Sequence, residues 1–302
     1  MKQTRTVHGM RNLGNTCYLN ATIQCLLAIK RIRYILDVIT PQSNAIDFFI
    51  ECFDKKQSCT QTPSSVYELY VSLFCNIQRN TPQDSVECLL RFLDYFEKQT
   101  EIRKPYKYMS LLDHDQCSCV SFWERIPTNS IVRDIFTGII HTRTQCHSCN
   151  NQIEKFDTYQ MLPIHAETSK SVKDGFMQFI NIPDQICNAK CDSCSNSSVI
   201  FTKIQSIHKI PSVLLFEIIG STRELNIEET IVIDHAHGFE RTRLVYKLKA
   251  LILYSNAHYT SIVYDSDQQC FYHVDDTRIE ECTIDVINKE IMIRCAIYEQ
   301  TL

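Results

Sequence analysis

Cys17 ends a turn-forming stretch, Gly9-Met10-Arg11-Asn12-Leu13-Gly14-Asn15-Thr16, and opens a run in which Leu19, Ile23, Leu26 and Leu27 recur at helical spacing. A cysteine in the first turn of a helix, with Asn15 or Thr16 as cap, meets unpaired amide N–H groups and the positive end of the helix dipole. Both stabilise a thiolate, so the spacing predicts a lowered thiol pKa and a nucleophile near neutral pH. Such a thiolate needs a histidine to hold it as an ion pair and later to protonate a leaving amine. Ten histidines are present, and composition does not choose among them. A second chemistry lies in two C-x2-C pairs, Cys146-His147-Ser148-Cys149 and Cys191-Asp192-Ser193-Cys194. Each knuckle turns two thiolates towards one point, and two knuckles complete a tetrahedral zinc site with no open position, hence a structural one. The rival is a redox pair, which C-x-x-C also permits. Cys187 and His147 are alternative ligands, and the stretch 150–190 between the pairs is longer than usual zinc-ribbon spacing. Asp84 and Glu87 lie three apart at the start of a helical pattern, where carboxylates stabilise the dipole.

The elements that must position these residues change character along the chain. The first third reads as mainly helical. Ser85 to Phe96 places Val86, Leu89, Leu90, Leu93 and Phe96 on one helix face, and Gln61-Thr62-Pro63-Ser64-Ser65 is a helix entry. From about Ile131 short β-type runs take over: Ile139-Ile140, Val199 to Phe201, Val213 to Phe216, Leu244 to Tyr246, Leu251 to Tyr254, Tyr259 to Tyr264, Cys270 to Val274 and Ala296 to Glu299. His235 and His237 fall in a polar, loop-like stretch. A helical part followed by a strand-rich part predicts an α+β architecture with a cleft between the two.

At 302 residues the chain can bury an ample core, as one large domain or two small ones. A formal net charge of −4 gives no electrostatic case for nucleic acid or an anionic membrane as partner. No apolar run is long enough to cross a bilayer. Met1 to Thr6 is followed by no secretory pattern, so the sixteen cysteines are expected to be reduced, catalytic or metal-bound in cytosol or nucleus. Those outside the nucleophile and the knuckles read as small buried hydrophobes.

The segment Gly9 to Leu26 resembles the cysteine box of the ubiquitin-specific proteases, papain-like deubiquitinating enzymes, whose pattern runs G-[LM]-x-N-x-G-[NA]-T-C-[YF]-x-N-[AS]-x-x-Q-x-L. Pro82 to Leu89 is similar to the family's Q-D-[AS]-x-E-[FL]-L box, Asp134 to Gly138 to its F-x-G entry to the fingers, and Ile210 to Leu214 to its L-P-x-x-L strand. Asn256 to Tyr264 resembles the G-H-Y-x-x-x-[VI] histidine box, and Phe271 to Asp276 the W-x-x-[FV]-[DN]-D strand. The resemblance implies a papain-like fold forming one catalytic domain over 1–302. Its helical thumb covers about 1–130, zinc-bearing β fingers about 137–205, and a β-rich palm about 206–302. It implies Cys17 as nucleophile, His258 as base and then acid, and Asp275 as the group orienting His258, with Asp276 as an assistant. Asn12 and the backbone N–H of Cys17 would form the oxyanion hole, and Asn20 and Gln24 would brace the loop. Cys146, Cys149, Cys191 and Cys194 would hold one structural Zn²⁺. Asp84 and Glu87 would contact the arginine-bearing tail of ubiquitin. The implied activity is thiol-dependent hydrolysis of the bond after the C-terminal glycine of ubiquitin, by a monomer whose partner is ubiquitin or a ubiquitinated protein. The alternatives are a catalytically weak ubiquitin-binding scaffold, a protease for another ubiquitin-like modifier, and a papain-like peptidase acting on ordinary peptides.

Three departures mark a compact, divergent member. The loop before the histidine box is short, with Ala257 in place of Gly. Phe216-Glu217-Ile218-Ile219-Gly220 stands where the family has L-x-R-F, and Phe271 replaces a Trp.

Overall fold

The computed structural model describes residues 7–39, 43–54, 60–73, 77, 79–103, 128–181, 183–222, 224–237, 240–286 and 291–301. Met1 to Thr6 and the stretch 104–127 of the expected thumb lie outside them. Helices and sheets are mixed, as the α+β reading requires. The N-terminal part is helical: α1 (Cys17–Ala28), α2 (Lys30–Val38), α3 (Asn44–Asp54), α4 (Ser64–Leu73) and α5 (Ser85–Gln99). A short pair, β1 (Ile102–Arg103) with β2 (Thr128–Asn129), and the helix α6 (Ile131–Phe136) lead into the sheets.

An antiparallel four-stranded sheet has the order β4-β3-β7-β6, from β3 (Gly138–Cys146), β4 (Gln152–Tyr159), β6 (Asp184–Ala189) and β7 (Val199–Lys209). The larger sheet begins with β5 (Met161–His165), which runs parallel to β8 (Val213–Ile219). Between β5 and β6 the chain forms α7 (Val172–Asn181). The sheet continues through β14 (Met292–Gln300), β10 (Glu240–Ser255), β11 (His258–Asp265), β12 (Cys270–Asp275) and β13 (Arg278–Cys282). β9 (Thr230–His237) pairs with the first half of β10.

Two apolar runs of the sequence, Leu244 to Tyr246 and Leu251 to Tyr254, belong to the single long strand β10, which changes partner from β9 to β11 along its length. His235 and His237 lie on β9, against the loop-like reading of that stretch. The polar composition of 234–237 hid a strand whose hydrogen bonds all come from β10, a partner with its own strong β pattern.

α1 explains why the two parts hold together. Every residue from Cys17 to Leu26 is buried, so the helix is covered on all sides. It packs against β11 of the large sheet and against α5 of the helical part. On the helical side Phe49 meets Phe92 and Phe96 edge-on at 6.0 and 5.8 Å, and Tyr70 stacks on Phe92 at 5.6 Å. A buried polar seam sets the register of α1 on α5. The Thr22 hydroxyl lies 2.9 Å from Ser85 Oγ and donates to the Tyr18 carbonyl at 2.9 Å or the Ser85 carbonyl at 3.0 Å. Ser85 Oγ also donates to the Tyr18 carbonyl at 3.0 Å. Thr22→Val keeps the shape and removes this hydroxyl, so it should lower stability by about 1–3 kcal/mol through the unsatisfied partners. Urea unfolding checks this; an unchanged midpoint would show that packing alone sets the α1–α5 register.

Candidate active site

The loop before α1 is wound around one side chain. Asn12 Oδ1 accepts from the Gly14 N–H at 2.9 Å, the Thr16 N–H at 3.1 Å and the Thr16 hydroxyl at 3.2 Å. This winding takes Gly14 and Asn15 into the left-handed region, with φ of 98° and 53°. Thr16 holds the cap position, yet its side chain makes no capping bond; its oxygen accepts instead from Leu13 N–H at 2.8 Å. The first-turn N–H groups of α1 are therefore left for whatever sits at Cys17.

Cys17 is buried, with 8% of the residue exposed. The predicted lowering of its pKa is reversed. Burial pushes the thiol up, and the Asp276 carboxylate adds to this, while backbone hydrogen bonds from Tyr259, Tyr18 and Cys17 itself pull the other way without prevailing. The helix start does what the sequence implied, but desolvation outweighs it.

His258 is the first residue of β11. It follows a two-residue hairpin turn in which Asn256 and Ala257 have φ of 50° and 60°, and Ser255 pairs with His258 across it. Both central residues left-handed is the type I′ geometry, which matches the twist of the strands. His258 Nε2 lies 2.6 Å from Asp275 Oδ1, which leaves Nδ1 as the other ring nitrogen. The residue after His258 is Tyr259, whose backbone bonds the Cys17 sulfur. Asp275 is thus paired with His258, and Cys17 meets the next residue of the same strand.

The neighbouring acid has a different task. Asp276, at φ 49°, accepts from Asn12 Nδ2 at 2.9 Å and from Asn20 Nδ2 at 2.6 Å, and its carbonyl accepts the Met10 N–H at 2.8 Å. Asp275 faces the imidazole while Asp276 clamps the cysteine loop to the β12–β13 turn. Sequence reasoning missed this clamp; the adjacent acids and Asn20, three residues into α1, were its signal. Asn12, expected as an oxyanion donor, already gives one amide N–H to Asp276. Gln24 Nε2 donates to the His8 carbonyl, as a brace would.

Asp84 is the N-cap of α5, its Oδ1 accepting from the N–H groups of Val86 at 2.8 Å and Glu87 at 3.0 Å. Its Oδ2 takes the Tyr259 hydroxyl at 3.2 Å and Arg294 Nη2 at 3.3 Å. Glu87 points to solvent and pairs with Arg91 one turn along. Arg294 was not foreseen from the sequence. Phe271, in the place of a Trp, is buried with its ring 5.0 Å from that of Tyr264.

At the far end of the four-stranded sheet the two C-x2-C knuckles repeat one conformation. Cys146 N–H donates to the Asn151 carbonyl at 3.0 Å, and Cys191 N–H to the Asn196 carbonyl at 2.9 Å. Asn150 and Ser195, each just after the second cysteine, are left-handed with φ of 58° and 57°. The sulfurs of Cys146, Cys149, Cys191 and Cys194 all lie within 4.8 Å of one another. Cys149 and Cys191 are 3.8 Å apart, close to the edge of about 3.8 Å for a tetrahedron with metal–sulfur bonds of about 2.3 Å. The four thiols form a candidate metal site, floored by Val199 and Phe201. His147 is tied to Thr202 at 2.6 Å and Cys187 stands outside the cluster, so neither joins the donor set.

Residues 8–294 match the family described as "Ubiquitin carboxyl-terminal hydrolase". The chain belongs to the ubiquitin carboxyl-terminal hydrolase family. An Arabidopsis thaliana relative, ubiquitin carboxyl-terminal hydrolase 25, is 26% identical over 85% of this chain and 42% of its own length. A human relative named inactive ubiquitin carboxyl-terminal hydrolase 17-like protein 8 is 23% identical over 91% of this chain and 53% of its own. The chain therefore spans about half or less of these relatives. Its fold is similar to a chain in the structure of the SAGA Ubp8/Sgf11/Sus1/Sgf73 DUB module bound to ubiquitin aldehyde. The TM-score is 0.71 and the identity 15%, over 100% of this chain and 71% of that one. Among the described residues no helix is long and apolar enough to cross a membrane.

The raised Cys17 thiol has a measurable sign. With burial holding its pKa above that of an ordinary cysteine, the thiol stays protonated at neutral pH unless a neighbouring base takes the proton. Iodoacetamide alkylation of Cys17 in His258→Ala should therefore turn on only at a pH more alkaline than an ordinary cysteine needs, whereas the wild-type thiol should react at lower pH. Coincident pH profiles for the two proteins would remove His258 as the base.

Proposed function

We propose that this chain is a thiol-dependent deubiquitinase, cleaving the isopeptide or peptide bond after the C-terminal glycine of ubiquitin. The observation that carries this reading is the His258–Asp275 pair at 2.6 Å beside a helix-start cysteine, in a chain of this family. His258, held by Asp275, takes the Cys17 proton, and the thiolate attacks the glycine carbonyl carbon. The oxyanion so formed lies at the uncapped start of α1, where the Cys17 N–H and the Asn12 amide are the donors; losing one such donor costs roughly 10²–10³ in rate. His258 then protonates the leaving amine, the C–N bond breaks and a thioester remains. Water, deprotonated by His258, attacks the thioester. The C–S bond breaks and releases the carboxylic acid, which gives its proton to water, and the Cys17 thiolate, which recovers its proton from His258. The burial that raises the resting thiol makes this handover to His258 the activating step.

The substrate tail is extended and carries two arginines before its terminal glycines. Glu87 offers it an exposed carboxylate, and Asp84 shapes the same helix start from behind. The partner is ubiquitin or a ubiquitinated protein, met by a monomer with no role for nucleic acid or membrane. The described cysteines are all free thiols, which supports a reducing compartment, cytosol or nucleus.

One relative carries the name inactive, and this supports a second reading, a scaffold that binds ubiquitin without cleaving it. A ubiquitin probe with a C-terminal electrophile separates the two. The enzyme should form a covalent adduct at Cys17, and Cys17→Ala should still bind ubiquitin without forming it. Asn12→Ala should lower kcat by about 10²-fold or more with little change in substrate binding. Binding without an adduct would establish the scaffold.

We infer that the four-thiol site holds one structural Zn²⁺, on Cys146, Cys149, Cys191 and Cys194. When bound, the ion supplies only cross-linking, because four thiolates leave no open position. Elemental analysis of protein purified without added metal should find one zinc per chain, and Cys191→Ser should lose it together with local order in the four-stranded sheet. Metal-free wild-type protein with its four-stranded sheet intact would overturn the zinc reading.

A further inference from the structure

Arg294 stands on β14, where Ile293 pairs with Leu253 and Cys295 with Ile252. Two consecutive residues of β10 thus face three of β14, and Arg294 is the extra one. Such a bulge re-aims a side chain. Here it aims a guanidinium at Asp84, 3.3 Å away, beside the Tyr259 hydroxyl on the same oxygen. The other Asp84 oxygen is committed to the cap of α5. The charge of Asp84 is therefore already met from inside the chain. Arg294 is only 28% exposed, and its Nε–H is buried with no hydrogen-bond partner.

We propose that Arg294 sets specificity at this site: its guanidinium fills the cation position at Asp84, so a basic substrate side chain is excluded there and read by Glu87 alone. The inference rests on the deubiquitinase reading and deepens it. A substrate arginine arriving at Asp84 would have to expel Arg294 from its partner and leave a half-buried guanidinium without a counter-charge, which is costly. Glu87 has a weaker hold on its own partner. Its pair with Arg91 is an i,i+4 surface contact with 54% of the Glu87 side chain exposed, which an incoming guanidinium can replace. Of the two arginines before the terminal glycines, one is read by charge and the other passes an already neutralised acid.

The test measures hydrolysis of ubiquitin carrying a C-terminal fluorophore, alongside two versions in which each tail arginine in turn is alanine. The wild-type enzyme should lose kcat/KM on only one of the two. In Arg294→Met and Arg294→Gln the freed Asp84 should read the second arginine as well, so that both tail variants lose about tenfold or more, chiefly through KM. Arg294→Lys keeps the charge and should keep the wild-type pattern. If the wild type already loses on both tail variants, or if Arg294→Met and Arg294→Gln keep the wild-type pattern, the inference is overturned while the deubiquitinase reading stands. No turnover of unmodified ubiquitin by the wild type overturns that reading, and this inference with it.

Discussion

The Asp276 carboxylate, shared between Asn12 and Asn20, is the interaction on which the site depends. The thiol comes from the start of the chain and the imidazole from near its end, and the Asn20–Asp276 bond alone spans 256 residues of sequence. One carboxylate with both oxygens engaged fixes a loop, a helix start and a strand turn against one another. The backbone bond from Met10 to the Asp276 carbonyl adds a second point of attachment. Behind it, Gly9 lies so close to Thr277 that a Cβ there would stand 2.8 Å from the Thr277 carbonyl oxygen. The cysteine loop and the β12–β13 turn therefore meet backbone to backbone, with no room for a side chain between them.

Burial and activation pull against each other around this clamp. A helix enclosed on all sides is a rigid support for a nucleophile, but enclosure also withdraws water from the sulfur and disfavours its charge. The fold answers by leaving the start of α1 uncapped and by bringing a backbone group of β11 to the sulfur. Asp276 works against thiolate formation through its charge while holding the loop in place. Geometry is secured at some cost to the ionisation of the resting thiol, and the His258–Asp275 pair stands next to the group that bears that cost.

The parts of the site written in contiguous residues were legible in the sequence. Local spacing marked Cys17 at a helix start and the four clustered knuckle cysteines, whereas His258, opening a strand, and Asp275, ending one, were picked out of the chain by their resemblance to family motifs. The helix from Ser85 and most of the strands were equally plain, because alternation and helical periodicity are local signals. What escaped was made by pairing at a distance. The strand β9 depends on β10, and the direction of the Cys17 shift depends on burial, which only the folded chain creates. Asp84 looked like a helix acid and is one, but its link to Arg294 crosses 210 residues and turns on a bulge that no periodicity encodes.

The turn from Asn256 to Ala257 has a consequence for timing. Two residues between paired strands contain no slack, and both already occupy the left-handed region, Ala257 without the freedom of a glycine. Such a connection cannot unfurl to cover a bound chain end, so no ordering of this loop is charged against each encounter. The approach to His258 on that side is a fixed rim rather than a door, and the residence time of whatever binds there is governed by its contacts with standing walls.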